Sequence, residues 1–177
     1  MAILKNVELF YAKLDPKRPN ATFDKENPTW EVQIRTRDKT QAKQWKELSI
    51  NVKPDEDDKG MFYKATLKKK SKKRDGEPMA PVNIVAGDLS PIDPNTLGNG
   101  SKGHVRIYQY EYNVAGRKGI ASMLMGVQVT VLNEYQSKPR EDDFEMTEFE
   151  VKKVADNQEV DEDQFVANDD IDEEINF

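Results

Sequence analysis

The sequence of 177 residues contains no cysteine, a single histidine and no long apolar run. The lack of cysteine excludes disulfides and thiolate metal ligands, and one histidine cannot form a two-histidine zinc site. No segment approaches the roughly 20 apolar residues that cross a bilayer, and the first residues lack the pattern of a signal peptide. We therefore expect a cytoplasmic protein with no membrane contact and with neither a metal nor an organic cofactor.

Motifs of catalysis are equally scarce. His104 is the only histidine, and no nucleophile motif accompanies it. Residues 98–103 match G-x-G-x-x-G, but a dinucleotide site needs a preceding strand and a following helix, which the neighbouring residues do not favour. We interpret this segment as a flexible turn whose N–H groups can touch phosphates. Residues 55–58 are four consecutive acids that we interpret as an acidic turn, so we do not expect an enzyme.

Charge is distributed unevenly along the chain. Residues 1–138 hold 24 Lys and Arg against 17 Asp and Glu, a net of +7, whereas residues 139–177 hold 3 basic and 16 acidic groups, a net of −13. A strongly acidic segment repels itself and buries too little apolar surface to fold alone. We therefore predict a folded domain over residues 1–138 and a mostly disordered acidic tail over residues 139–177. The basic body favours a polyanionic partner.

The body has the pattern of a mainly β protein. Alternating and apolar segments predict strands over residues 2–11, 30–36, 48–53, 61–68, 82–86, 104–112 and 120–132, with one helix over 40–48. In the last strand, the predicted core face comprises Ala121, Met123, Met125, Val127, Val129 and Val131. Residues 12–29 contain three prolines and predict a surface loop. Short strands, Gly and Pro turns and a single helix indicate a small β-barrel or sandwich.

A dense cluster of positive charge follows the fourth predicted strand. Six of the seven residues from 68 to 74 are basic, namely Lys68, Lys69, Lys70, Lys72, Lys73 and Arg74. Basic side chains gain affinity for nucleic acid by releasing counterions from its backbone. We predict a phosphate-contacting loop, and the alternative is a solvated hairpin tip.

The strand over residues 104–112 carries a row of aromatic side chains. Period-two alternation places Arg106, Tyr108, Tyr110 and Tyr112 on one face and the aliphatic residues on the other. Stacking of a base on an aromatic ring contributes about 1–3 kcal/mol and tolerates any base. We predict a stacking platform for unpaired bases, and the alternative is cross-strand aromatic packing. Further candidates are Trp45 and Trp30 for stacking, with Trp30 better suited to the core, and Lys102, Arg117 and Lys118 for phosphate contact.

The acidic tail closes on an apolar tip. Its last residues include Asp169, Asp170, Asp172, Glu173, Glu174, Ile175 and Phe177. An aromatic ring beside a terminal carboxylate suits a small apolar pocket rimmed by Lys or Arg, one of the ways in which proteins capture chain ends. We predict that these residues bind a protein partner.

Together these features resemble phage-encoded single-stranded DNA-binding proteins. The resemblance rests on the β-rich body over residues 3–135, the turn at 97–101 leading into the aromatic strand, the strand over 123–132 and the acidic tail ending on Phe177. It implies an OB-fold-like Greek-key barrel with one short helix. The helix over 40–48 lies earlier in the chain than the usual OB helix, which follows the third strand.

The resemblance also implies a function. Proteins of this kind bind single-stranded DNA without sequence dependence in phage replication, recombination and repair, inside the host cytoplasm, and their tails recruit a polymerase, helicase or nuclease. This tail ends Glu-Ile-Asn-Phe instead of the Ile-Pro-Phe of bacterial relatives, which leaves its partner open, as is homo-oligomerisation. Two alternatives remain: an acidic-tailed viral structural or assembly protein, and a Mg²⁺-dependent nuclease using residues 55–58.

Overall fold

The computed structural model describes residues 1–135 and 148–151. Contacts divide the chain into two units, Met1–Ser137 and Lys138–Phe177. The predicted disorder of the tail and its partner-binding residues, 169–177, lie outside the described residues. Among the helices that the structure describes, none combines the length and apolar character needed to cross a membrane.

Strands dominate the first unit, and one α-helix interrupts them. In chain order the elements are β1 (Ala2–Lys13), β2 (Thr29–Thr36), α1 (Lys39–Glu47), β3 (Lys53–Asp57), β4 (Gly60–Lys70), β5 (Asn83–Ala86), β6 (Ser101–Val114) and β7 (Arg117–Val131). The Asp38 side chain caps α1 by accepting a hydrogen bond from the Thr40 N–H. The predicted strand over 48–53 is wrong: Ser49 has a positive φ of 62°, and Ile50 is buried in the connection from α1 to β3.

Five of the strands close into a barrel. The sheet order is β3-β4-β2-β1-β6-β7-β5, and a parallel pairing of Lys68 in β4 with Met123 in β7 joins its two sides. The order of the strands around the barrel is β1-β2-β4-β7-β6. When the five barrel strands are numbered along the chain, this order is 1-2-3-5-4, which is the Greek-key order of an OB-fold. The predicted OB-fold-like barrel is confirmed. Helix α1 lies between the second and third barrel strands, earlier than is usual.

The barrel interior is filled by the apolar side of each strand. In β2, Trp30, Val32 and Ile34 are buried and alternate with half-buried polar residues, as the sequence pattern predicts. Trp45 reaches the same core from α1. The Trp30 Nε1–H donates to the Asp15 carbonyl at 3.0 Å, which satisfies its polar group inside the core. Both tryptophans are therefore core residues, as the pattern of β2 favours for Trp30, and the stacking role considered for Trp45 is wrong.

The predicted core face of β7 is wrong at four of its six residues. Arg106 pairs with Gly126 whereas the next residue, Ile107, pairs with Leu124, so Met125 is an extra residue and the alternation reverses there. Val127 and Val129 are buried as predicted, but Leu124 replaces the predicted neighbours Ala121, Met123 and Met125, and Val131 is exposed. Ala121 and Met123 consequently lie opposite the tyrosines of β6.

Candidate nucleic-acid interface

The tyrosine row of β6 lies on the outside of the protein. Tyr108, Tyr110 and Tyr112 are 42%, 46% and 40% exposed, whereas Val105 and Ile107 are buried. The rings of Tyr108 and Tyr110 are near parallel, with centroids 6.3 Å apart and an interplanar angle of 22°. The row therefore presents aromatic faces to solvent, which is the arrangement that base stacking requires.

The row continues onto a hairpin arm. Pairing of β6 with β1 stops where Ala2 meets Ile107, and β6 and β7 run on together to a two-residue turn at Ala115 and Gly116, both with positive φ. Tyr112 covers Gly119 so closely that an added Cβ would lie 2.5 Å from the tyrosine hydroxyl oxygen. Tyr112 thus has a packing role within the arm. Arg117 and Lys118 are exposed beside the turn.

The basic segment is divided between a strand and its following connection. Lys68, Lys69 and Lys70 are the last residues of β4, and only the later cations lie in the predicted loop. Three of the six lie near carboxylates, because Lys68 is 3.6 Å from Glu31, Lys70 is 4.0 Å from Asp24 and Lys73 is 3.1 Å from Glu77. Lys69 faces inward and is only 5% exposed, which differs from the expected surface loop. The positive field is therefore weaker than the residue count predicts.

The basic segment and the tyrosine row meet around one open cavity of about 380 Å³, here named the basic cavity. All six cations of the segment line it. The other lining residues are Thr29, Met79, Tyr110, Ser122 and Met123. The basic segment and the tyrosine row, about 40 residues apart in the sequence, thus contribute to a single surface that combines positive charge with an aromatic ring.

Sequence reasoning missed a second cluster on the outer face of β1, β2 and β4. The guanidinium carbon of Arg35 lies 3.8 Å from the ring centroid of Phe10, 4.5 Å from that of Phe62 and 5.4 Å from that of Tyr11. The Arg35 Nε–H donates to Gln33 Oε1 at 2.7 Å, which fixes the guanidinium further. We name these four residues, Phe10, Tyr11, Arg35 and Phe62, the arginine–aromatic cluster.

A bulge in β1 places two adjacent aromatic residues beside Arg35. The β1–β2 register shifts between Phe10 and Lys13, and Tyr11 has a positive φ of 50°. The Tyr11 N–H donates to Asn99 Oδ1 at 2.8 Å, which holds the bulge. Regular alternation cannot put consecutive side chains on one face, so the pair Phe10–Tyr11 was itself a signal for this bulge.

The glycine turn before β6 serves packing. The Gly98 N–H donates to the Asn133 carbonyl at 2.8 Å, and the Gly100 N–H donates to the Leu9 carbonyl at 3.0 Å. A Cβ at Gly98 would lie 2.4 Å from the Asn133 oxygen, so glycine is required by a close backbone approach. The predicted turn leading into a strand is present, but the N–H groups of Gly98 and Gly100 form backbone hydrogen bonds, so their predicted contact with phosphate is wrong. Lys102 is exposed, and its backbone pairs with Glu8.

The remaining chemical candidates have structural partners. His104 Nδ1 accepts a hydrogen bond from the Asn6 N–H at 3.0 Å. Asp55 and Asp57 lie in β3, not in a turn. Hydrogen bonds from Lys64 to Asp55 and from Arg37 to Asp57 lower the pKa of both carboxyl groups. Within residues 1–135 and 148–151, no group of three potential ligand side chains is placed to hold a metal ion.

The barrel defines the chain as an OB-fold protein, and one of its open surfaces combines cationic with aromatic side chains. No protein-family model matches the sequence, and no curated protein matches it. Among solved structures, the single-stranded DNA-binding protein of bacteriophage Enc34 in complex with ssDNA is similar to this chain, with a TM-score of 0.51 and 14% identity over 78% of this chain and 88% of that chain.

Two further structures are similar. The Enc34 protein by itself gives a TM-score of 0.50 at 14% identity, over 78% of this chain and 84% of that chain. The bacteriophage T7 protein gp2.5, a single-stranded DNA-binding protein, gives a TM-score of 0.44 at 15% identity, over 82% and 96% of the two chains. The Enc34 structures confirm, at the level of the fold, the predicted resemblance to phage single-stranded DNA-binding proteins.

Proposed function

We propose that this protein binds single-stranded DNA without sequence specificity. The observation that supports it best is the basic cavity, where six cations and the exposed ring of Tyr110 line one open surface of an OB-type barrel. The solved structure of the Enc34 protein with ssDNA, which has the same fold, supports the same partner.

The chemistry of the surface explains both affinity and lack of specificity. Cations at the basic cavity contact phosphates and release counterions, which gives a term that every sequence shares. Tyr108 and Tyr110 offer π-faces on which any base stacks. Duplex DNA keeps its bases stacked on one another, so it offers only the phosphate contacts. The protein therefore prefers single strands.

The arginine–aromatic cluster extends the proposed binding surface. In OB-folds the face of the second and third strands binds oligonucleotides, and β2 and β4 hold those places in this barrel. Arg35 supplies a fixed cation there, with Phe10 and Tyr11 as neighbouring rings. At the basic cavity, Lys68 Nζ also lies 5.5 Å from the ring of the exposed Phe23, which adds a further aromatic side chain to that region.

The proposed biological role is non-enzymatic protection and organisation of ssDNA during phage replication, recombination and repair in the host cytoplasm. In this proposal the acidic segment over residues 139–177 recruits a polymerase, helicase or nuclease through its last residues, including Phe177. The composition of that segment supports the assignment, since its net charge of −13 opposes the +7 of residues 1–138. No cofactor is required for binding.

A titration of the full chain with dT oligonucleotides, matched duplex DNA and single-stranded RNA tests the proposal. We expect tighter binding to the single-stranded DNA than to the duplex, with similar affinity for different DNA sequences. Log affinity should fall with log salt by about 0.7 for each neutralised phosphate. Equal affinity for duplex and single-stranded DNA would contradict the stacking mechanism, and Mg²⁺-dependent loss of the strand would indicate a nuclease instead.

A further inference from the structure

Lys69 is exceptional among the cations of the basic segment. It is 5% exposed and pairs with Trp30 across β2 and β4, so its side chain is directed to the inner side of the sheet. Its neighbours Lys68 and Lys70 lie within 4.0 Å of carboxylates. In the part of the chain that the structure describes, no carboxylate lies within that distance of the Lys69 ammonium group.

The other buried polar side chains of the barrel have partners. Thr36 Oγ1 accepts the Asp38 N–H at 3.1 Å, and Ser101 Oγ donates to the Gly98 carbonyl at 2.8 Å. By contrast Ser71, two residues after Lys69, has a buried hydroxyl without a hydrogen-bond partner in the described residues. Lys69 thus differs from Thr36 and Ser101, because it lines the basic cavity with no side-chain partner in the described part of the chain.

A buried cation without a counter-ion is costly, and the burial lowers the pKa of Lys69. The preceding inward residues of β4 are Ala65 and Leu67, so the strand shows that apolar side chains fill this side of the sheet. An apolar residue at position 69 would avoid the cost. A bound anion in the cavity would remove it, because the ammonium group then gains an opposite charge.

The walls of the cavity indicate which anion fits. Met79, Met123 and the ring of Tyr110 add apolar and aromatic surface to the cations that line the same cavity. A nucleotide combines a phosphate with a planar base, and so matches both kinds of surface at once. A volume of about 380 Å³ lies within the range of ligand pockets.

We propose that Lys69 is a phosphate-binding residue inside the basic cavity, where it takes one phosphate of bound single-stranded DNA while the attached nucleoside contacts Tyr110. This inference rests on the proposed function and specifies that the basic cavity binds a phosphate group of the DNA. It differs from general surface attraction, because it assigns a larger contribution to the one buried lysine than to its exposed neighbours.

The test compares Lys69→Met with Lys70→Met in the full chain. The substitutions remove the same charge from adjacent residues, one buried and one exposed. We expect Lys69→Met to weaken binding of a dT oligonucleotide by about 10-fold or more, as for loss of a charge-assisted hydrogen bond, and Lys70→Met by about threefold or less. Equal losses would overturn the proposal. Absence of ssDNA binding by the unsubstituted protein would refute the proposed function itself.

A neutral oligonucleotide separates phosphate binding from a general effect on the fold. A dT oligonucleotide with methylphosphonate linkages has no backbone charge, so wild type and Lys69→Met should bind it equally. A tenfold difference on this neutral strand would overturn the assignment to phosphate. Charged strands with a 5′-phosphate or a 5′-hydroxyl are then compared. If the wild type binds the 5′-phosphate strand more tightly and Lys69→Met does not, Lys69 binds the terminal phosphate. Equal binding identifies an internal linkage.

An acidic peptide is the competing class of ligand. A peptide of residues 156–177 contains ten Asp and Glu and no Lys or Arg, and it can be titrated against both proteins. We expect Lys69→Met to lose affinity for the oligonucleotide. If it loses affinity only for the peptide and binds the oligonucleotide as wild type does, the site belongs to an acidic protein segment and the phosphate proposal is wrong.

Discussion

Arg35 lies over the ring of Phe10, with its guanidinium carbon 3.8 Å from the ring centroid. Phe62, on the other neighbouring strand, approaches the same guanidinium to 4.5 Å, and Gln33 accepts its Nε–H. The three strands of the outer face thus hold one cation in a fixed orientation. A preorganised cation loses less entropy on binding than a free lysine does.

We predict that Arg35→Lys weakens ssDNA binding by about 1 kcal/mol without changing the salt slope, because lysine keeps the charge and loses the planar stacking. Fluorescence titration over a salt series measures both quantities. Arg18→Lys is the control, since Arg18 is exposed and forms an ion pair with Asp15. Wild-type affinity in Arg35→Lys would show that the cluster only packs the sheet face.

We predict that Tyr110→Ala weakens ssDNA binding by roughly 1–3 kcal/mol. The salt dependence of the affinity should stay unchanged, because stacking releases no counterions. Tyr112→Ala provides the contrast. Tyr112 covers Gly119, so its loss should lower the melting temperature of the protein. If Tyr110→Ala also lowers the melting temperature and retains full affinity per folded molecule, the row serves cross-strand packing.

We predict that Lys69→Met raises the free energy of unfolding at neutral pH, because it removes the cost of desolvating the ammonium group. Burial lowers the pKa of Lys69 from 10.5, so between the lowered value and 10.5 the unfolded chain binds more protons than the folded one. Wild-type stability therefore rises with pH in that window, and the advantage of Lys69→Met shrinks as pH approaches 10.5.

Urea unfolding at pH 7 and at about pH 10 measures this difference. Lys70→Met removes the same charge from an exposed position, and its stability relative to wild type should change much less between the two pH values. An advantage of Lys69→Met that stays constant or grows with pH would show that desolvation of the ammonium group is not its cause.

We predict that Gly103→Ala destabilises the barrel by about 3 kcal/mol. A Cβ at this position would lie 2.2 Å from the Gln128 carbonyl oxygen, so β6 and β7 would have to separate. Gly87→Ala is the control, because its Cβ would contact the Val129 carbonyl oxygen at an ordinary 3.9 Å. Thermal unfolding of the two variants should differ clearly, and equal melting temperatures would contradict the close approach.

The sequence predicted what depends on local alternation. Trp30, Val32 and Ile34 were recognisable as the buried face of β2, because their side chains alternate with polar ones. The same alternation in β6 identified its tyrosines as an exposed face. Alternation along β4 also predicts that Lys69 faces inward, since it lies two residues after Leu67 and therefore on the same face of the strand. The uniform run of lysines hid that signal.

The remaining features depend on pairing between distant strands. Arg35 and Phe62 are far apart in the sequence and meet only through the β2–β4 register. The bulge at Met125 reverses the faces of β7, and nothing in the alternation of β7 itself indicates it. Gly126, beside that bulge, allows β5 to approach, because a Cβ there would lie 3.3 Å from the Asn83 carbonyl oxygen.

The last prediction concerns the acidic segment. Its 13 net negative charges are covalently attached to a body of net charge +7, so they should compete with ssDNA at a high effective concentration. Removing residues 156–177 should raise affinity for dT oligonucleotides. The gain should be largest near 0.01 M salt, where the Debye length is about 30 Å, and should vanish near 1 M, where it is about 3 Å.

Deletion of Phe177 alone is the matched control, because it keeps every acidic side chain. We expect DNA affinity close to that of the full chain and loss of binding to a replication or repair partner. The two truncations therefore separate electrostatic competition from recruitment. Weaker DNA binding after removal of residues 156–177 would refute competition, since loss of repelling charge cannot reduce affinity for a polyanion. Partner binding that survives deletion of Phe177 would refute its role as the anchor.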